Sequence, residues 1–155
     1  MNNMNFRRLM NEISILENNN DDDKKLFIIN RVGDDIFHWE AIIIAPENSL
    51  YEGFKFKLDI QLPTNYPINP LKVKFITPIL HLNVNKYGDI CLDILKKEWL
   101  SISNMRTVLI SIINLLAEPN VEDPLNHELA NLYMLDKNKY KDDIIKYCKA
   151  HAIKI

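Results

Sequence analysis

His81-Leu82-Asn83-Val84-Asn85-Lys86-Tyr87-Gly88-Asp89-Ile90-Cys91-Leu92-Asp93-Ile94-Leu95-Lys96-Lys97-Glu98-Trp99 divides this chain in two. The stretch has weak strand periodicity and no helical stripe. It gathers a histidine, an asparagine, a glycine, a cysteine and an aspartate between two strongly apolar regions. Reactive side chains on irregular backbone between core elements is how a scaffold commonly presents chemistry.

The region N-terminal to it reads mainly as strand. Leu71–Ile76 alternates apolar and polar residues, and Phe54–Leu62 does so over a longer run. Period two means one buried and one wet face. Ile36–Ile44 and Leu26–Val32 complete a set of four, with Gly33-Asp34-Asp35 and Pro46-Glu47-Asn48-Ser49 as turn signals. Such short turns favour an antiparallel meander. Pro63 through Pro70 is a proline-rich bend that cannot be helix. Before the strands, residues 4 to 17 carry Phe6, Leu9, Met10, Ile13 and Leu16 at helical spacing. Arg7, Arg8, Asn11 and Glu12 fall on the opposite side. Glu17 through Lys25 is then expected to be a solvated polar connector with nothing to bury, with an acidic docking site as the alternative.

The region C-terminal to the stretch reads as helix. Asn104 is a good N-cap for a segment running to Ala117, apolar on nearly all sides and expected to be the central buried helix. Pro119 stops it. A third helix spans about Asn126 to Leu135. Asp136 can cap a fourth, with Tyr140, Ile144, Tyr147, Cys148 and His151 on one face. Strands segregated from helices indicate an α+β fold, with residues 1–155 forming one domain.

Composition sets limits. A length of 155 residues is enough for a real core. A net charge of −2 gives no drive toward nucleic acid or acidic lipid. No apolar run approaches the roughly 20 residues that span a bilayer, and the first residues have no apolar core like a secretion signal. Two cysteines are too few for a disulfide framework. A reducing cytoplasmic or nuclear setting with free thiols is expected. The four histidines and two cysteines form no ligand cluster, so neither metal nor small-molecule cofactor is expected.

Cys91 is the sharpest feature, with a buried apolar thiol as the bland alternative. His81 is either a base in a Cys–His pair or a structural residue bonded to backbone. Asn83 has an N–H that could stabilise an oxyanion, or it is a turn residue. Gly88 allows a tight turn between them and Cys91. Asp89 should destabilise a nearby thiolate, so Cys91 is not expected to be hyper-reactive.

Over essentially its whole length the chain resembles the ubiquitin-conjugating enzymes. The likeness is carried by Val32-Gly33-Asp34-Asp35, Phe37-His38-Trp39, Tyr51-Glu52-Gly53 and Pro63-Thr64-Asn65-Tyr66-Pro67. It continues through Pro70, Lys72-Val73, His81, Asn83, Gly88, Ile90-Cys91-Leu92-Asp93-Ile94-Leu95, Trp99, Pro119-Asn120 and Asp123-Pro124-Leu125. The resemblance implies that fold, built as an N-terminal helix, a four-stranded meander and three helices. It also implies that Cys91 takes ubiquitin from an activating enzyme by transthiolation. The thioester then passes to a substrate lysine, usually with a ubiquitin ligase. It assigns Asn83 to oxyanion stabilisation or loop ordering, Asp123 to orienting the lysine, and Asp93 to a second acidic contribution. His81, Leu82 and Trp99 become structural parts near the site, which disfavours a cysteine hydrolase. Arg7 and Arg8 match positions that meet the activating enzyme and ligases. Ile68 and Leu100-Ser101-Ile102 match the ligase-docking surface. ATP is used by the activating enzyme, so no cofactor is implied, and a monomer is expected.

Several positions depart from the family. His-Pro-Asn appears as His81-Leu82-Asn83, and loss of the proline restraint is expected to loosen Asn83. Ile68 and Leu100-Ser101-Ile102 differ from the usual residues, which points away from ordinary ligases. Ile28 replaces a small polar residue on the back of the sheet, and its exposure would count against modifier binding there. Cys148 matches no motif and is expected to pack. The segment Glu118 through Asn126 also looks like the branch that conjugates the ubiquitin-like protein NEDD8. A catalytically weak binding module is the remaining alternative.

Overall fold

The computed structural model describes residues 3–18 and 21–155. Helix α1 (Asn3–Glu17) and a short α2 (Asp21–Lys24) lead into strands β1 (Phe27–Arg31), β2 (His38–Ile44), β3 (Phe54–Gln61) and β4 (Lys72–Phe75). Each of the four pairs antiparallel with the next, in the order β1-β2-β3-β4, so the meander is as expected. Then come a 3-10 turn at Asp93–Leu95 and helices α3 (Met105–Ala117), α4 (His127–Leu135) and α5 (Lys137–His151).

The alternating strand pattern decides which face is wet. Trp39, Ala41 and Ile43 of β2, Phe56, Leu58 and Ile60 of β3, and Phe75 of β4 are buried on one face. Against this core lies α3, with Val108, Leu109, Ile112, Ile113, Leu115 and Leu116 buried as its apolar pattern predicts. Each large side chain removed from water in this way contributes roughly 1.5–3 kcal/mol. Asn104 caps α3 by accepting from Thr107 N at 2.9 Å, while Thr107 Oγ1 accepts from Asn104 N at 3.0 Å. Asn126 and Asp136 cap α4 and α5 in the same way, at 3.1 and 3.0 Å.

Four expectations are corrected. A fifth strand, β5 (Ile153–Lys154), pairs Lys154 with Phe54 and Ile153 with Lys55, along a part of β3 that β4 leaves unpaired. Two residues are too few to show a period, so the sequence could not announce it. The polar run 17–25 does bury something: Asp23 is 6% exposed and holds Arg106 through two bonds of 2.8 and 2.9 Å. Asn19 and Asn20 of that run lie outside the described residues. On α1, Glu12 is buried while Phe6 and Met10 are exposed. Spacing explains this, since Leu9, Glu12, Ile13 and Leu16 share one stripe three and four residues apart. On α5, Tyr140, Ile144 and Cys148 are buried, but His151 is at the surface against Tyr147. Ile28 is 48% exposed, on the wet face beside Ile42.

Candidate functional site

The stretch 81–99 is irregular for a reason visible in its hydrogen bonds. Gly88 has φ +88°, and a Cβ there would fall 2.2 Å from the carbonyl oxygen of Phe75. Only glycine can occupy this approach of loop to sheet edge. Phe75 N donates to Gly88 O at 2.9 Å, and Val84 bridges to Ile90. The loop is therefore stitched to β4, and Cys91 N donates to Asn83 O at 2.9 Å. That bond brings the cysteine beside the asparagine.

His81 is completely buried. Its Nε2 faces Leu115 O at 2.9 Å, its Nδ1 accepts from Asn83 N at 2.9 Å, and the ring stacks on Tyr51. A donor at Nε2 and an acceptor at Nδ1 is the neutral tautomer. Burial pushes its pKa down from 6.5 to about 4, partly offset by the Leu115 carbonyl. Both ring nitrogens are committed away from Cys91, so His81 does not pair with it.

Asn83 is also fully buried. Its Nδ2 donates to Asn120 O at 2.9 Å and Asp123 O at 3.1 Å, and its Oδ1 accepts from Asn120 N at 2.9 Å. Both amide hydrogens are thus spent on the 120–123 loop. Leu82 does not leave Asn83 loose, contrary to expectation. Its side chain is 1% exposed, and its carbonyl accepts from Leu125 N at 2.8 Å and Asn126 N at 3.0 Å. Burial and two backbone bonds replace the restraint that proline would give.

This scaffold carries Asp123 to the cysteine. Cys91 Sγ lies 3.4 Å from Asp123 Oδ2, and the thiol is partly exposed. Its pKa is raised, first by desolvation, then by the hydrogen bond to Asp123 and the charges of Asp123 and Asp93, with Lys96 opposing. The direction matches the expectation of an unactivated thiol, but the source differs. Asp123 and Asp93 supply the negative charge, whereas Asp89 accepts from Asn85 Nδ2 at 3.0 Å. Asp93 is exposed and opens the 3-10 turn, its carbonyl accepting from Lys96 N and Glu98 N. Cys91, Leu92, Asp93, Leu100, Ser103 and Asp123 are among the residues lining a cleft of about 420 Å³.

The remaining expected residues fall on a neighbouring surface. Trp99 Nε1 donates to Pro67 O at 2.9 Å, joining the proline bend to the end of the 81–99 stretch. Ile68, Leu100 and Ile102 are 57%, 61% and 77% exposed, and Ser101 is also exposed. Arg7 is exposed. Arg8 differs, since its guanidinium donates to Ser101 O and to Ser103 O within the chain. Sequence reasoning missed Glu12, Asn120 as an anchor, and the Asp23–Arg106 pair. Only the helical stripe of α1 could have pointed to Glu12. Among the described residues, no cluster of three His, Cys, Asp or Glu side chains is placed to hold a metal ion.

A cysteine on an irregular stretch thus lies beside a buried asparagine and an aspartate, on an α+β core whose sheet is backed by a central helix. The family model for ubiquitin-conjugating enzymes matches residues 8–148, and the chain belongs to that family. It is 50% identical over 153 residues to a protein of Acanthamoeba polyphaga mimivirus described as a "Probable ubiquitin-conjugating enzyme E2", covering 98% of this chain and 97% of that one. Among solved structures, the E2 domain of a Toxoplasma gondii ubiquitin conjugating enzyme matches with a TM-score of 0.84 and 35% identity, over 94% of this chain and 97% of the other. A crystal structure from Plasmodium yoelii, whose description names the same kind of enzyme, matches with a TM-score of 0.88 and 34% identity, over 100% and 99% of the two chains.

Proposed function

We propose that this chain carries ubiquitin as a thioester on Cys91 and delivers it to a lysine amine. The observation that carries this reading is the partly exposed Cys91 thiol, 3.4 Å from the carboxylate of Asp123, whose backbone carbonyl accepts from the buried Asn83. In loading, Cys91 Sγ attacks the carbonyl carbon of the activating enzyme's ubiquitin thioester. A new S–C bond forms, the donor's S–C bond breaks, and the proton that Cys91 gives up is balanced by the one the activating enzyme's departing thiolate takes up. In transfer, a lysine Nζ attacks that carbonyl, an isopeptide C–N bond forms and Cys91 leaves as the thiolate.

Asp123 is suited to meet the incoming ammonium and accept its proton. Asn83 serves by holding the 120–123 loop rather than by donating to an oxyanion, since its amide hydrogens already have partners. The raised thiol pKa also has a consequence. A thiol that resists ionisation is a poorer leaving group, so the thioester resists idle loss and benefits from a ligase. The exposed Ile68, Leu100 and Ile102, with Arg7, supply a surface for such partners.

The test is a loading assay with activating enzyme, ATP and ubiquitin, read on a non-reducing gel. A thiol-sensitive adduct, absent in Cys91→Ala, is the expected result. An adduct with NEDD8 but not ubiquitin would replace the modifier, and none with either would overturn the reading.

A further inference from the structure

Arg8, Glu12 and Asp23 all bond to one short segment, residues 101 to 106. Arg8 donates to the carbonyls of Ser101 and Ser103, the latter at 2.9 Å. Glu12 Oε1 accepts from Met105 N, at the first residue of α3, at 2.8 Å. Asp23 grips Arg106, one residue further on. The same Glu12 carboxylate accepts from Tyr66 Oη at 2.8 and 2.9 Å. Tyr66 precedes Pro67, whose carbonyl receives Trp99 Nε1. Glu12 therefore ties both ends of the segment 99–105, one directly and one through the proline bend.

That segment is a wall of the cleft. Leu100 and Ser103 line it together with Cys91 and Asp123. Glu12 is 7% exposed, and burying a carboxylate is costly. Apolar packing alone would be served better by leucine. A charged acceptor with directional partners specifies a geometry instead.

We propose that Glu12, with Arg8 beside it, is a positioning residue for the transfer step: it sets the wall along which an amine reaches the Cys91 thioester. This rests on the thioester reading given above. Water, being small, needs no shaped wall, whereas lysine does. The measurement is single-turnover decay of the purified ubiquitin thioester, with and without free lysine, alongside loading.

Glu12→Ala is expected to load within about twofold of the parent and to hydrolyse at the parent rate. Its kcat/KM for lysine should fall about tenfold. Glu12→Gln should recover most of the loss, because its Oε1 can accept from Met105 N while its Nε2 donates to Tyr66 Oη. Tyr66→Phe, which removes one hydroxyl, should lose about threefold and keeps the test open if Glu12→Ala does not fold. Normal lysine discharge in Glu12→Ala or Tyr66→Phe overturns the proposal. So does a parallel loss of loading, hydrolysis and aminolysis, or a Glu12→Gln variant as slow as Tyr66→Phe or slower. A parent chain that forms no thioester sinks the underlying reading, whereas a parent that loads beside a variant that discharges normally sinks this proposal alone.

Discussion

Acidification should loosen the site through one residue, His81. The ring is buried and neutral, with its pKa near 4 in the folded chain against 6.5 when unfolded. Below pH 6.5 the unfolded chain binds a proton that the folded chain refuses. Stability is therefore complete at neutral pH and is lost as pH falls from about 6.5 toward 4. At 1.36 kcal/mol per pH unit, the loss is about 1.4 kcal/mol at pH 5.5 and about 2.5 kcal/mol at pH 4.5. Protonation would also set an N–H at Nδ1 against Asn83 N, which now donates to it. Two carboxylates titrate toward the acid end. Asp23, its pKa lowered by the Arg106 bond, adds loss in the same direction only as pH falls to its unfolded value of 3.8 and below. Glu12, its pKa raised by burial, works against it. A comparison with His81→Asn isolates the imidazole, because the carboxamide keeps a donor and an acceptor but does not titrate. Urea unfolding of both proteins at pH 7.5, 5.5 and 4.5 is the assay. The variant starts lower but should lose about 2.5 kcal/mol less between the extremes. Parallel pH profiles, or a His81 ring that titrates near 6.5 by NMR, would refute the reasoning.

Asp123→Asn removes the negative charge and weakens the hydrogen bond that favour the protonated thiol. Iodoacetamide should then alkylate Cys91 several-fold faster at pH 7.5 while thioester discharge to lysine falls; Cys148, 1% exposed, should not contribute. A slower alkylation would contradict the assigned cause. Asn83→Ala deletes three bonds to the 120–123 loop. It should cost about 2–4 kcal/mol in urea unfolding and slow discharge more than loading; a loss under about 1 kcal/mol would deny the scaffold role. Gly88→Ala forces a Cβ to within 2.2 Å of Phe75 O at a φ of +88°. A melting profile like the parent's would be inconsistent with that contact, because more than about 2 kcal/mol of destabilisation is expected.

Local pattern on its own determined the meander, the buried α3, its Asn104 cap and the cap at Asp136. Each rests on residues adjacent in sequence or one helical turn apart, where period and capping chemistry are self-contained. The joint order of short motifs from Val32 to Leu125 pointed to the family. What only the tertiary structure decided depends on groups brought together over long separations. Cys91 and Asp123 are 32 residues apart, Asn83 and Asp123 are 40 apart, and Glu12 and Met105 are 93 apart. Three readings turned on such meetings. Leu82 does not loosen Asn83, because bonds from residues 125 and 126 hold it. Arg8 is spent on carbonyls at 101 and 103. Glu12 is interior because Tyr66 and the start of α3 bring hydrogen-bond donors to it. A residue's type and spacing reveal what it can bond, but only the folded chain determines which partner arrives and whether water is still there to compete.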